Sequence, residues 1–197
     1  MTIGIIGQGF VGSAIHSKFR NYFDVKTYDI AEGKGTSGKE ETLRQDVVFV
    51  CLPTPMNRDG SCNTELVEQA IKDISTASKC KIAVIKSTVI PGTTAKINSL
   101  YPELDVVFNP EFLTEANAVE DFNNQSRVIL GGPRPATTKL NTMYRKVFPK
   151  AHIVKTGSTH AEMIKYVTNT FLATKVAYAN EIYEICKGLK LDYDKVI

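Results

Sequence analysis

Runs of consecutive apolar, mostly β-branched residues alternate along this chain with stretches whose apolar positions recur every three to four residues. The runs are TIGIIG, DVKTYD, DVVFVCLP, KIAVIKST, DVVFNP, RVILGG and HIVKTG. Most are apolar at successive positions, the mark of strands covered on both faces of a sheet. The helical period falls over residues 10–23, 64–76, a stretch after Pro91, and 135–147. Alternation of this kind predicts an α/β fold, a doubly wound parallel sheet with helices on both faces.

After Gly157 the pattern changes, and one helix is expected over 158–187 with no Gly or Pro inside it. About thirty residues at a rise of about 1.5 Å make a rod on the order of 45 Å. It carries two apolar stripes. Leu172, Val176, Ala179 and Tyr183 lie on one, and Ile164, Val167, Phe171, Tyr178, Ile182 and Ile185 on the other. A helix apolar on two sides is expected between two bodies, here as a dimer seam or domain interface. The first stripe begins with Lys165 and Asn169, which an apolar seam does not require. Gly188 is read as its C-cap, and Asp192 as the N-cap of a further helix. The expected layout is a dinucleotide domain over 1–156, a connecting or dimerising helix over 157–188, and the start of a following region over 189–197 whose C-terminal domain lies outside this chain.

Composition narrows the class. The 197 residues, 43% hydrophobic and 23% charged, suit a globular protein with its own core. A net charge of +3, from 24 basic and 21 acidic residues without a basic block, gives no reason to expect nucleic acid or a membrane surface as partner. With no signal-like start and no long apolar run, a cytoplasmic location is expected. Cys51, Cys62, Cys80 and Cys186 form no CxxC pair and stand beside no histidine at ligand spacing, so free, mostly buried thiols and no metal are expected.

GQGFVG at 7–12 matches the dinucleotide turn GxGxxG. Gly7 permits the tight turn, Gly9 lets amides approach a pyrophosphate beside Phe10 and Val11, and Gly12 lets the helix close on the strand. The next strand ends at Asp29, seventeen residues past Gly12, where a carboxylate suits ribose hydroxyls and repels a 2′-phosphate. The fold expected is therefore Rossmann-type, and the cofactor NAD. Thr54 and Pro55, after the third strand, and Thr88, after the fourth, fall at carboxyl ends where the nicotinamide side would lie. As turn and capping residues the threonines need no ligand.

Three further stretches, KSTVIPGTT (86–94), NPEFLTEANAVEDF (109–122) and EMIKYVTNTFLATKVAYANE (162–181), stand in that order behind GQGFVG and PTP. Together they resemble the UDP-glucose/GDP-mannose dehydrogenase family. The resemblance implies oxidation of a nucleotide sugar, UDP-glucose foremost, from C6 alcohol to acid through an aldehyde and a cysteine thioester, with two NAD reduced. It implies that Thr88 lies near the reacting carbon, that Glu111 helps a water attack the thioester, and that Glu115 touches Thr88 and the nicotinamide. The Phe112, Leu113 and Thr114 backbone would follow the sugar nucleotide, and Lys165 and Asn169 would hold the C6 oxyanion. The apolar stripes of the long helix favour, besides, a homodimer formed through it.

The residue types suit that chemistry, since hydride leaves a carbon as its oxygen loses a proton, and a fixed cation with an amide one turn away stabilises that oxygen. Glu111 or Glu115 could serve as general base, or simply favour a helix dipole. Two features depart from the family pattern. The nucleophilic cysteine lies in a later segment of the family, and AEGKGTSGKEETLRQ (31–45) replaces the helices usually inserted there, leaving Lys34 as the residue able to reach a phosphate. A phosphogluconate-type hydroxyacid dehydrogenase and a non-catalytic NAD-binding module remain as alternatives.

Overall fold

The computed structural model describes residues 1–77 and 80–197. The chain divides into two compact units, 1–163 and 164–197. In the first, seven strands form one sheet: β1 (Thr2–Ile6), β2 (Asp24–Tyr28), β3 (Val47–Val50), β4 (Ile82–Ile85), β5 (Asp105–Phe108), β6 (Arg127–Gly131) and β7 (His152–Thr156). Their order is β2-β1-β3-β4-β5-β6-β7. The chain leaves β1 for β2 on one side and returns to β3 on the other, which opens a crevice above β1 and β3.

The first five strands run parallel, and β6 and β7 are parallel to each other. The exception to the all-parallel expectation is β5 against β6, which meet antiparallel through Phe108 and Gly131. A parallel return needs a crossover, usually a full helix. Here the chain after β5 spends its residues on NPEFLTEAN and on α5 (Ala118–Asn123), six residues long. It re-enters the sheet from the carboxyl side, so the segment 109–126 stays at that edge.

Alternate strand residues face opposite layers. Ile3, Ile5, Phe49 and Val107 join one core with Ala14, Ile15 and Phe19 of α1 (Phe10–Phe19), Phe122 of α5, and Leu140 and Tyr144 of α6 (Arg134–Val147). Phe19 stands at its centre, edge-on to Phe49 and Tyr144 with ring centroids 5.7 Å from each. On the other face lie α2 (Lys39–Leu43), α3 (Glu65–Thr76) and α4 (Thr93–Leu100), burying Thr42, Ile71 and Ile97. The first helix ends at Phe19 rather than at 23, because Asn21–Phe23 fold into turns that still bring the Phe23 ring to 5.9 Å from Phe19. The short helices α2 and α5 had no periodic signal.

The final helix, α7 (Ser158–Gly188), opens in the first unit and fills most of the second. Both apolar stripes expected between two bodies are open on this chain, with Phe171 63%, Val176 61% and Tyr178 68% exposed. Gly188 is the last helical residue, and the left-handed position that stops the helix belongs to Lys190 at φ +56°. Leu191 N–H returns to the Cys186 carbonyl and Lys190 N–H to that of Lys187, a Schellman ending. Asp192 does cap, accepting the Asp194 N–H, but it opens a single 3₁₀ turn, Tyr193–Lys195, in place of the expected helix. Among the described residues no helix is long and apolar enough to cross a membrane.

Candidate active site

The turn after β1 is built by backbone proximity. Gly7 has φ +89°, and a Cβ there would lie 2.3 Å from the Cys51 carbonyl oxygen. A Cβ on Gly12 would lie 1.9 Å from the Gly7 carbonyl oxygen, so only glycine lets α1 close on the strand. Gly9, the N-cap of α1, faces open space on its Cβ side. The unpaired first-turn amides of α1 thus border an accessible cavity, as a pyrophosphate site requires. Asp29 closes the adjoining end, its carboxylate accepting the Gln8 N–H at 2.6 Å and the Ala31 N–H at 2.8 Å. These two bonds, with some help from Lys34, hold its carboxyl below the usual carboxylate range.

A cleft of about 790 Å³ follows the carboxyl ends of β1 to β5. It brings together Gly7, Gly9, Phe10, Val11, Asp29 and Lys34 with Thr54, Thr88, Glu111 and Glu115. Asp29 and Thr88 follow strands three places apart in the sheet, about 14 Å at about 4.8 Å per strand. That span matches a dinucleotide lying across the crevice. NAD therefore fits the residues present.

At the Asp29 end the cleft has a wall that sequence reasoning missed. Lys39 of α2 pairs with Asp73 of α3 at 2.7 Å, and both side chains line the cleft with Leu66 and the exposed Ile30. The Asp73 bond raises the Lys39 ammonium. Burial opposes ionisation of Asp73, but its bonds to Lys39 and Gln69 pull the carboxyl down. Lys34 is thus joined there by a second cation. The partners stand 34 residues apart, so no local spacing announced them.

The inner end joins the β3 and β4 termini. Thr54 Oγ1 donates to the Thr88 carbonyl at 2.7 Å, and Ser87 Oγ accepts the Leu52 N–H at 2.9 Å. Beneath them Lys86, 4% exposed, donates from Nζ to Asn109 Oδ1 at 3.1 Å and to the Pro110 carbonyl at 3.4 Å. Tyr144 Oη donates to the same Asn109 oxygen, and Asn109 Nδ2 donates to the Ile129 carbonyl. Glu111 folds back to accept the Leu113 N–H at 2.7 Å. Burial pushes the Cys51 thiol up to about 12, against the pull of Lys86 and with a push from Glu111. Burial raises the Tyr144 hydroxyl as well.

Other residues singled out in the sequence stand off the cleft lining. Gly12 lies beneath it. Pro55 accepts the Asn63 N–H at the base of a small arm whose Met56 and Cys62 bridge. Phe112 lies under the Arg127 guanidinium at 4.8 Å, Leu113 packs on the core, and Thr114 donates to Asp121. Lys165, 4% exposed, and Asn169, exposed, occupy successive turns of α7 in the second unit. Of the four free thiols, Cys80 and Cys186 are buried and Cys51 and Cys62 half-buried.

A doubly wound sheet with this glycine turn and acidic strand end defines a dinucleotide-binding dehydrogenase domain. Residues 32–151 match the NAD-binding domain of the UDP-glucose/GDP-mannose dehydrogenase family, and 159–197 match its central domain. The chain belongs to that family of NAD-dependent nucleotide-sugar dehydrogenases, and its cofactor is NAD. It is 31% identical, over its whole length, to a UDP-glucose 6-dehydrogenase of Haloferax volcanii, of which it spans 57%. A UDP-glucose dehydrogenase structure from Pyrobaculum islandicum superposes with TM-score 0.88 at 27% identity, over 99% of this chain and 55% of that one. A ternary complex of GDP-mannose dehydrogenase from Pseudomonas aeruginosa superposes with TM-score 0.87 at 26% identity, over all of this chain and 55% of that one. The chain thus spans little more than half the length of these relatives.

Proposed function

We propose that this chain serves the oxidation of the C6 alcohol of UDP-glucose to the carboxylate, the activity of a UDP-glucose 6-dehydrogenase. The observation that carries the reading is the single cleft joining the Gly9 and Asp29 cradle to Thr88, Glu111 and Glu115. The amides of the 7–12 turn and of the first turn of α1 would hold the pyrophosphate, and Asp29 the adenosine ribose. Thr54 and Thr88 would border the nicotinamide. NAD, when bound, supplies the hydride acceptor. Each sugar oxidised this way consumes two NAD and one water and yields two NADH.

Glu111 is the proposed base for that water and Glu115 its neighbour toward the nicotinamide, while residues 112–114 border the sugar nucleotide. Lys165 and Asn169 are proposed, from their motif, to hold the C6 oxygen as its proton leaves. A charge and a donor fixed before the reaction stabilise the transition state more than the ground state. The exposed stripes of α7 support a homodimer through residues 157–188, following a dinucleotide domain over 1–156 and preceding a further region from 189. Four free thiols suit the cytoplasm.

The test is stoichiometric. The intact protein, given UDP-glucose and excess NAD, is expected to release two NADH per sugar. Release with GDP-mannose alone transfers the reading to that substrate. One NADH per sugar, or turnover only of a simple 3-hydroxy acid, rejects it.

A further inference from the structure

We propose that Lys86 is a positioning residue of this site, its buried ammonium holding the Asn109–Pro110 turn so that the Glu111 carboxylate stands at the inner end of the cleft. The proposal rests on the functional reading for what Glu111 does there, though not for where it is held.

Burial of a lysine is costly, and a fold alone is commonly served better by an apolar side chain of the same length. Lys86 is nonetheless 4% exposed, at the carboxyl end of β4 and on the floor of the cleft. Its Nζ reaches two acceptors, Asn109 Oδ1 and the Pro110 carbonyl, and both belong to the two residues immediately before Glu111. Asn109 is 1% exposed and fixed from two further directions, by the Tyr144 hydroxyl of α6 and by the Ile129 carbonyl of β6. Three elements therefore converge on the side chain that precedes Pro110, whose ring removes one backbone freedom. Next to that turn the Glu111 carboxylate accepts the Leu113 N–H at 2.7 Å. Lys86 and Glu111 also act with opposite sign on the Cys51 thiol, so cation and carboxylate share one neighbourhood. Beside this clamp β5 and β6 meet through the single pair Phe108–Gly131.

The Leu113 amide reports the placement without any substrate. In the 197-residue chain, Lys86→Met is expected to speed its hydrogen exchange at least about tenfold, the loss of one charge-assisted bond. NAD affinity should stay within about threefold of wild type, and exchange in β4 and β5 should be unchanged. Tyr144→Phe, which deletes only one donor to Asn109, should move Leu113 the same way by less, and Lys86→Arg should restore most of the protection. In the intact protein turning over a nucleotide sugar, Lys86→Met should lower kcat at least about tenfold with little change in the KM for NAD. Unchanged Leu113 exchange, an unchanged kcat, or exchange quickened throughout β4 and β5 with NAD binding lost would each overturn the proposal. If the wild-type protein oxidises no nucleotide sugar, the functional reading fails by itself, and Leu113 exchange still decides whether Lys86 places Glu111.

Discussion

The Asp29 carboxylate accepts the Gln8 backbone N–H at 2.6 Å, tying the end of β2 to the glycine turn after β1. One side chain thus shapes the turn and offers its remaining lone pairs to the cleft. Asp29→Ala removes a charged acceptor of the kind worth about 1.5–3 kcal/mol, so NAD should bind about ten- to a hundredfold more weakly by calorimetry. An unchanged affinity would remove Asp29 from the cofactor site.

The same carboxylate sets a pH dependence. Its folded pKa is depressed, so its contribution to stability is present above the unfolded value of about 3.9 and is lost as pH falls through the lower folded value. Because the group is partly open to solvent, the effect is small. Urea midpoints of wild type and Asp29→Asn should differ at pH 7 and converge as pH falls below the unfolded value of about 3.9 and through the lower folded one.

Gly12→Ala forces a methyl group to 1.9 Å from the Gly7 carbonyl oxygen. Neither atom can yield without opening the turn, so a destabilisation of about 1–3 kcal/mol or more and loss of NAD binding are expected. A variant that binds NAD normally would show that α1 shifts at no cost.

Glu162, fully buried in the first turns of α7, accepts the Gly92 N–H at 2.6 Å and the Thr94 N–H at 2.8 Å, capping α4 from a different helix. Glu162→Ala strands two amides and should cost about 2 kcal/mol, lowering the thermal midpoint by about 4–8 °C. Glu162→Gln keeps one acceptor and should lose less. Equal midpoints for all three proteins would deny the cap any weight.

The thiols should separate by reactivity. Burial pushes Cys51 up to about 12 and Cys80 up to about 11, and Cys186 is 3% exposed. Alkylation of the native chain near pH 8, read by peptide mass, should therefore mark half-buried Cys62 first. Early labelling of Cys51, which is half-buried like Cys62, would contradict its raised pKa.

For the proposed oxyanion pair, Lys165→Ala should cut turnover of the intact protein about a hundredfold or more while NAD affinity holds within about threefold. Loss of folded protein, rather than of kcat, would make Lys165 a structural residue.

The cleft end at the glycine turn and Asp29 was legible because its signals are local. Strand, GQGFVG and helix are contiguous, and Asp29 follows at a fixed spacing, since a βαβ unit packs in only one way. The Lys39–Asp73 wall, the Lys86–Asn109–Tyr144 clamp and the Glu162 cap were not legible, because their partners lie 23 to 70 residues apart. Nor does an apolar run reveal strand direction, so the antiparallel meeting of β5 and β6 was missed. Two apolar stripes on α7 raise the expectation of an interface, and both stand open on this chain.

The amino-acid pattern alone thus determined the alternating elements, the glycine turn, the strand end before Asp29 and the long helix, all properties of short-range sterics and periodicity. Tertiary structure decided which side chains wall the cleft beside Asp29, which of them hold the turn before Glu111, and which helix caps α4. Those contacts depend on where the sheet brings distant segments together, and a linear spacing does not carry that information.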